Sequence, residues 1–342
     1  MKRCALLLLL SICLSANVAR GADKLPVSMV SIKDLDASIV GNGQDETEKI
    51  RAALAIAVAA KRTVFFPAGT YGVSGNILQL AQGESIQLKG DGIDATQFKL
   101  VGDPSDPIIR LRGEERYEQP YKPQQWFVCE DIRFAGDNRP GTWVRCEFTA
   151  HTYFTRCFFG FTVGPAVSGF SWWDSTFNEC SFVKVGDAKR KLAAVVLEDS
   201  ANETYRGLSN NICFNTCRFE ALEGDAVYLG YQARKNRFVS CKFDRVAGWG
   251  VHMYQADSNI LMANQFIHCG KSAILLHKSD GNIIMGNIIG LCGEYAVQMK
   301  ASKENVITGN AFAAGRERDN AKGNLVGDRA SLKNQIKGNV PE

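Results

Sequence analysis

Asn259-Ile260-Leu261-Met262-Ala263-Asn264, Asn282-Ile283-Ile284-Met285-Gly286-Asn287 and Asn305-Val306-Ile307-Thr308-Gly309-Asn310 follow one another at intervals of 23 residues. The first asparagine of each segment has a forerunner at Asn236. The last position extends back through Cys241, Cys217, Cys180 and Cys157, in the segments Phe238-Val239-Ser240-Cys241, Phe214-Asn215-Thr216-Cys217, Phe177-Asn178-Glu179-Cys180 and Phe154-Thr155-Arg156-Cys157. From 157 to 310 the steps are 23, 37, 24, 23, 23 and 23 residues, so one repeat carries an insertion and the others hold a period. Cys269 and Cys292 form a third row at the same interval.

A fixed period of this size is the mark of a solenoid. Its segments, such as Ala273-Ile274-Leu275-Leu276-His277, are short, apolar and partly β-branched, with Gly, Asn and Ser between them. That composition reads as strand, turn, strand. No repeat is long enough for two helices, and the leucine pattern of leucine-rich repeats is absent. The expected fold is all-β: a single-stranded right-handed parallel β-helix of about 23 residues per coil. Equivalent side chains then lie over one another at about 4.8 Å. Buried asparagines in register can bond amide to amide. This predicts an internal ladder at Asn264, Asn287 and Asn310, with Cys157, Cys180, Cys217 and Cys241 stacked inward in the same row.

Lys2 and Arg3, the apolar run Cys4 to Ala16, and Ala19-Arg20-Gly21 have the pattern of a signal peptide spanning 1–21. The run is too short to cross a bilayer. Export to the periplasm or beyond is the expectation, without membrane insertion after cleavage. The 40 basic residues less Lys2, Arg3 and Arg20 leave 37 against 36 acidic ones, which offers no electrostatic case for nucleic acid. Nine cysteines remain after cleavage, an odd number. Side chains stacked at strand spacing sit wider than a disulfide allows, so buried thiols are expected. Residues 22–62 read as an N-terminal segment with a capping helix, and 63–342 as the β-helix. In that helix Asp45 is the N-cap, Glu48 closes a capping box, and Ile50, Ala53, Leu54, Ala57 and Val58 share one face.

Strand alternation sorts the later coils. Inward positions are apolar: Val195 and Leu197, Val227 and Leu229, Val251 and Met253, Ile274 and Leu276, Val297 and Met299. One outward row is Val196, Tyr228, His252, Leu275 and Gln298; the next is Glu198, Gly230, Tyr254, His277 and Lys300. His252, Tyr254, His277 and Asp225 are the candidate catalytic groups. Tyr228, Trp249, Lys300, Glu198 and Arg206 are the candidate substrate contacts, Arg206 on the insertion Asp199 to Ser209. Such a set can run β-elimination on a uronic acid: a base takes the proton beside the carboxylate and an acid protonates the leaving oxygen.

Val30-Ser31-Ile32-Lys33-Asp34, Gly41, Asp45, Thr47, Ile50 and Ala53, then Val64-Phe65-Phe66-Pro67-Ala68-Gly69-Thr70-Tyr71, resemble the start of the pectate-lyase-like superfamily, which includes tailspikes, rhamnogalacturonase-like and epimerase-like proteins. The resemblance implies a pectin-lyase-type fold and action on acidic polysaccharides, without fixing the reaction. Polygalacturonases of that group carry paired aspartates and a Gly-His-Gly. Gly224-Asp225-Ala226-Val227 and Gly248-Trp249-Gly250-Val251 retain only Asp225, with Trp249 where the histidine would stand, so that mechanism is disfavoured. Many relatives bind Ca²⁺ through carboxylates. No dense Asp cluster marks such a site, and no metal ligand or other cofactor is assigned. The expected function is therefore an exported lyase of a uronic-acid polysaccharide. A glycoside hydrolase, a uronate C5-epimerase and a non-catalytic carbohydrate-binding or surface scaffold protein are the alternatives. Monomer and homo-oligomer are both open.

Overall fold

The computed structural model describes residues 29–114, 124–187, 189–190, 192–198, 208–312, 320–331 and 333–340. The expected signal peptide at 1–21, Arg206 and most of its insertion lie outside the described residues.

Among the described residues, eleven strands stack in one sheet and 21 in another, and neighbouring strands run parallel. In the smaller sheet Lys242 pairs with Gln265, Gln265 with Ile288, and Ile288 with Ala311, each 23 residues on. Ser181 pairs with Arg218, so the 37-residue step is an excursion that returns to register. The stack begins ahead of the helix: Val30–Ser31 pairs with Val64–Phe65, and Asn42 and Asp45 pair with Thr70 and Gly72.

Stacking of identical positions builds the core. Phe154, Phe177, Phe214 and Phe238 lie ring over ring at 4.7, 4.6 and 4.8 Å. A second column, Phe159, Phe182, Phe219, Phe243 and Phe266, runs at 5.2, 4.8, 4.7 and 4.4 Å. Near-parallel rings at this spacing bury large apolar area with a favourable aromatic contact at each step.

The asparagine ladder is present and extends to Asn339. Asn264 donates Nδ2–H to Asn287 Oδ1 at 3.0 Å, Asn287 to Asn310 at 2.9 Å and Asn310 to Asn339 at 2.9 Å. A second ladder joins Asn236, Asn259, Asn282, Asn305 and Asn334. The cysteines of the first column do related work. Asn264 Nδ2–H also donates to the Phe238 carbonyl at 2.9 Å, while Cys241, Cys217 and Cys180 donate Sγ–H to the carbonyls of Phe214, Phe177 and Phe154 at 3.3, 3.4 and 3.5 Å. A thiol is a weak donor of about the right length, so it satisfies the same row of carbonyls where an amide is not used. All nine described cysteines are free, eight of them buried.

The residue before each ladder position bends into left-handed φ. Thr216 is at 53°, Ser240 at 54°, Ala263 at 56°, and Gly286 and Gly309 at 64°. A β-branched residue is strained there and glycine is not. Thr216 is exposed. Thr216→Gly should therefore raise stability by up to about 1 kcal/mol, the relieved strain outweighing the extra freedom of the unfolded chain. A lower unfolding midpoint in guanidinium chloride would contradict this.

The N-terminal helix runs Thr47–Ala59 and buries Ile50, Ala53, Leu54 and Ala57, with Val58 partly buried, as the periodicity predicts. Its capping box does not form. Asp45 Oδ1 accepts from Thr47 N–H at 3.0 Å, but Glu48 turns outward to Arg51 at 2.7 Å. The carboxylate that folds back belongs to Glu46, buried and accepting from Val40 N–H at 2.6 Å. The box occurs one helix earlier, between Ser31 and Asp34. Leu275 also departs from expectation. It sits in the outward row yet is buried, outside the main core cluster, between His252 and Gln298 of the neighbouring coils.

Candidate functional site

The two outward rows exist in the predicted register. Val196 pairs with Tyr228, Tyr228 with His252, His252 with Leu275 and Leu275 with Gln298. In the adjacent row Tyr254 pairs with His277 and His277 with Lys300.

Asp225, Tyr228, Trp249 and His252 converge on an open groove of about 410 Å³. Asp225 anchors it. Its Oδ1 accepts from Trp249 N–H at 2.9 Å, and its Oδ2 lies 3.4 Å from His252 Nδ1. Asp225 thus holds the turn with one oxygen and faces His252 with the other. Gly248 makes room for it: a Cβ there would sit 2.0 Å from Asp225 Oδ1. The His252 ring is 4.6 Å from Trp249 and meets Tyr228 edge-on at 5.1 Å. The Asp225 carboxylate thus stands on the Nδ1 side of the imidazole.

Lys271 completes the groove, with Nζ 3.6 Å from the centre of the Trp249 ring. Sequence reasoning missed it because it occupies a turn, where strand alternation says nothing. Its offset of 23 from Gly248 was the available signal.

Residues 166–340 match the family described as right handed beta helix region, and residues 29–114 match rhamnogalacturonase A/epimerase, pectate lyase-like. The chain belongs to the right handed beta helix family, and its N-terminal part matches the pectate-lyase-like model. Among solved structures, this β-helix resembles ORF18 of Geobacillus virus E2 with a TM-score of 0.71 and 22% identity, covering 88% of this chain and 61% of that one. The chain thus spans less than two thirds of that protein's length. It also resembles the A-module of a mannuronan C-5 epimerase from Azotobacter vinelandii, with a TM-score of 0.60, 16% identity and coverage of 91% and 98%. DFA-IIIase from Arthrobacter chlorophenolicus A6 follows with a TM-score of 0.59, 12% identity and coverage of 90% and 94%. At these identities the likeness is one of fold. Among curated proteins, none matches the sequence.

Three groups of the two outward rows carry shifted proton affinities. Burial pushes the Glu198 carboxyl up, against the pull of Arg145. Burial, then the charges of Glu198, Tyr254 and Asp225, push the Tyr228 phenol up. Burial, then Lys278, Lys300 and His252, push the His277 imidazole down. Tyr228 therefore stays protonated and His277 neutral near pH 7. Tyr254 meets His277 edge-on at 5.1 Å. Replacing Lys300 by glutamine removes one of the cations holding His277 down, so its imidazole should titrate at higher pH than in the wild type. An NMR titration of His277 checks this, and an unmoved or lowered value would contradict it.

The remaining histidines lie elsewhere. His268 faces Asp244 at 3.3 Å on the smaller sheet, where Lys242 at 3.1 Å already pairs with that carboxylate. His151 stacks on Trp126 at 4.9 Å. Neither is joined by a tyrosine–carboxylate pair of the kind around His252. No group of three or more His, Cys, Asp or Glu among the described residues is placed to hold a metal ion, and no described helix is long and apolar enough to cross a membrane.

Proposed function

We propose that this β-helix protein is an exported enzyme that acts on a uronic-acid-containing polysaccharide by β-elimination. The reading rests on one observation: His252 has a carboxylate behind one nitrogen, a protonated tyrosine at its side and a lysine at the lip of the same open groove. His252 Nε2 removes the C5 proton, made acidic by the adjacent carboxylate. The electrons form the C4–C5 double bond as the C4–O4 bond breaks. The Tyr228 phenol gives its proton to O4. Lys271 offsets the negative charge of the uronate, and Trp249 offers a ring face to the sugar. Tyr254, His277, Lys300 and Glu198 continue the same face and contact neighbouring sugars of the chain. Return of a proton to the opposite face of C5, with C4–O4 intact, would make the same site an epimerase.

The test is a panel of acidic and neutral polysaccharides followed by ultraviolet absorbance of the product. Unsaturated ends are expected from uronate polymers alone. Products whose new non-reducing ends are saturated would mark a hydrolase and contradict the elimination step.

A further inference from the structure

The outward face that carries His252 continues toward the N-terminus into a cluster of three arginines. Arg110 pairs in register with Arg145, Arg145 with Ser168, Ser168 with Val196, Val196 with Tyr228 and Tyr228 with His252. Arg145 thus lies four coils from His252, about 19 Å at strand spacing. The adjacent row holds Arg112, Glu147, Phe170 and Glu198, again in register.

All three guanidiniums converge on the Glu147 carboxylate, whose side chain is only 6% exposed. Arg145 Nε is at 2.9 Å, Arg110 Nη2 at 3.1 Å and Arg112 Nε at 3.7 Å. Arg145 is also fixed by donating to Ser168 Oγ at 3.2 Å, and its guanidinium lies 5.2 Å from the Phe170 ring. A structural ion pair needs one cation per carboxylate. Here, among the described residues, three cations share one carboxylate, with Glu198 close enough to feel Arg145, while the Arg112 side chain remains 48% exposed. Three guanidiniums held this close repel one another, and an incoming anion relieves that repulsion. Their planar forks, pinned by Glu147 from beneath, suit a carboxylate or sulfate.

We propose that Arg110, Arg112 and Arg145, organised on Glu147, form a remote subsite for an acidic group of a polysaccharide whose chain also reaches His252. The inference builds on the functional reading above and adds a length requirement. A disaccharide at His252 cannot reach the arginines, whereas a polymer lying along the strand stack can.

The experiment is binding of a fluorescently labelled polyuronate, its disaccharide and a neutral glucan, each to wild type, Arg112→Gln and Arg145→Gln, with unfolding midpoints to verify folding. Arg112→Gln removes the most exposed and least tightly paired of the three and should leave the fold intact. Each variant should weaken the long polyuronate on the order of tenfold, the value of a charge-assisted hydrogen bond. Disaccharide affinity should be unchanged, and the salt dependence of polymer binding flatter. Wild-type affinity for the long polymer in a folded Arg112→Gln protein would overturn the subsite, as would an equal loss for the disaccharide. Absence of polyuronate binding by the wild type would overturn it as well. Because the readout is binding, the subsite can hold in a protein that turns nothing over, and elimination can hold when the subsite fails.

Discussion

His252→Ala should lower kcat on a uronate polymer by a factor of about 10² to 10⁴, the usual contribution of a positioned general base. His252 is a half-buried outward residue, not part of the packed core. The unfolding midpoint should therefore stay close to wild type, within about 0.5 kcal/mol. Asp225 is a poorer probe, because its Oδ1 also holds the Trp249 backbone. Tyr228→Phe is a cleaner companion: it keeps the ring that meets His252 and removes the proton that the leaving oxygen needs. If His252→Ala and Tyr228→Phe both turn over a confirmed substrate at the wild-type rate, the groove is not the reaction centre.

Asn287→Ala should cost about 3 kcal/mol or more, the second large effect. Asn287 Oδ1 accepts from both Asn264 N–H and Asn264 Nδ2–H, at 2.9 and 3.0 Å, and its own Nδ2–H reaches the Leu261 carbonyl and Asn310 Oδ1. Truncation strips these buried groups of partners at once. Each orphaned group inside the stack costs about 1–3 kcal/mol. Guanidinium chloride unfolding should show the midpoint falling. A change under about 0.5 kcal/mol would mean that the ladder adds little.

The 23-residue spacing made the coil, the asparagine ladder and both outward rows legible, because stacking turns sequence period directly into contact. Where the period fails, so does the reading. Arg110 and Arg145 are neighbours in register but 35 residues apart in sequence, across a longer excursion, and nothing in the regular rows points to them. Lys271 stands in a turn, outside the alternation that revealed His252 and Tyr254. Leu275 obeys the alternation and is nevertheless buried, since alternation gives the direction of a side chain and not what covers it. The capping box formed on the earlier helix, between Ser31 and Asp34, while at the later one Glu46 rather than Glu48 accepts backbone N–H groups, those of Val40 and Gly41.

The most direct test of the proposed chemistry follows the C5 proton itself. A polyuronate incubated with the protein in D₂O and read by proton NMR should lose its H5 signal with the wild type and keep it with His252→Ala. Cleavage or binding that leaves H5 in place with the wild type would contradict proton abstraction at this groove.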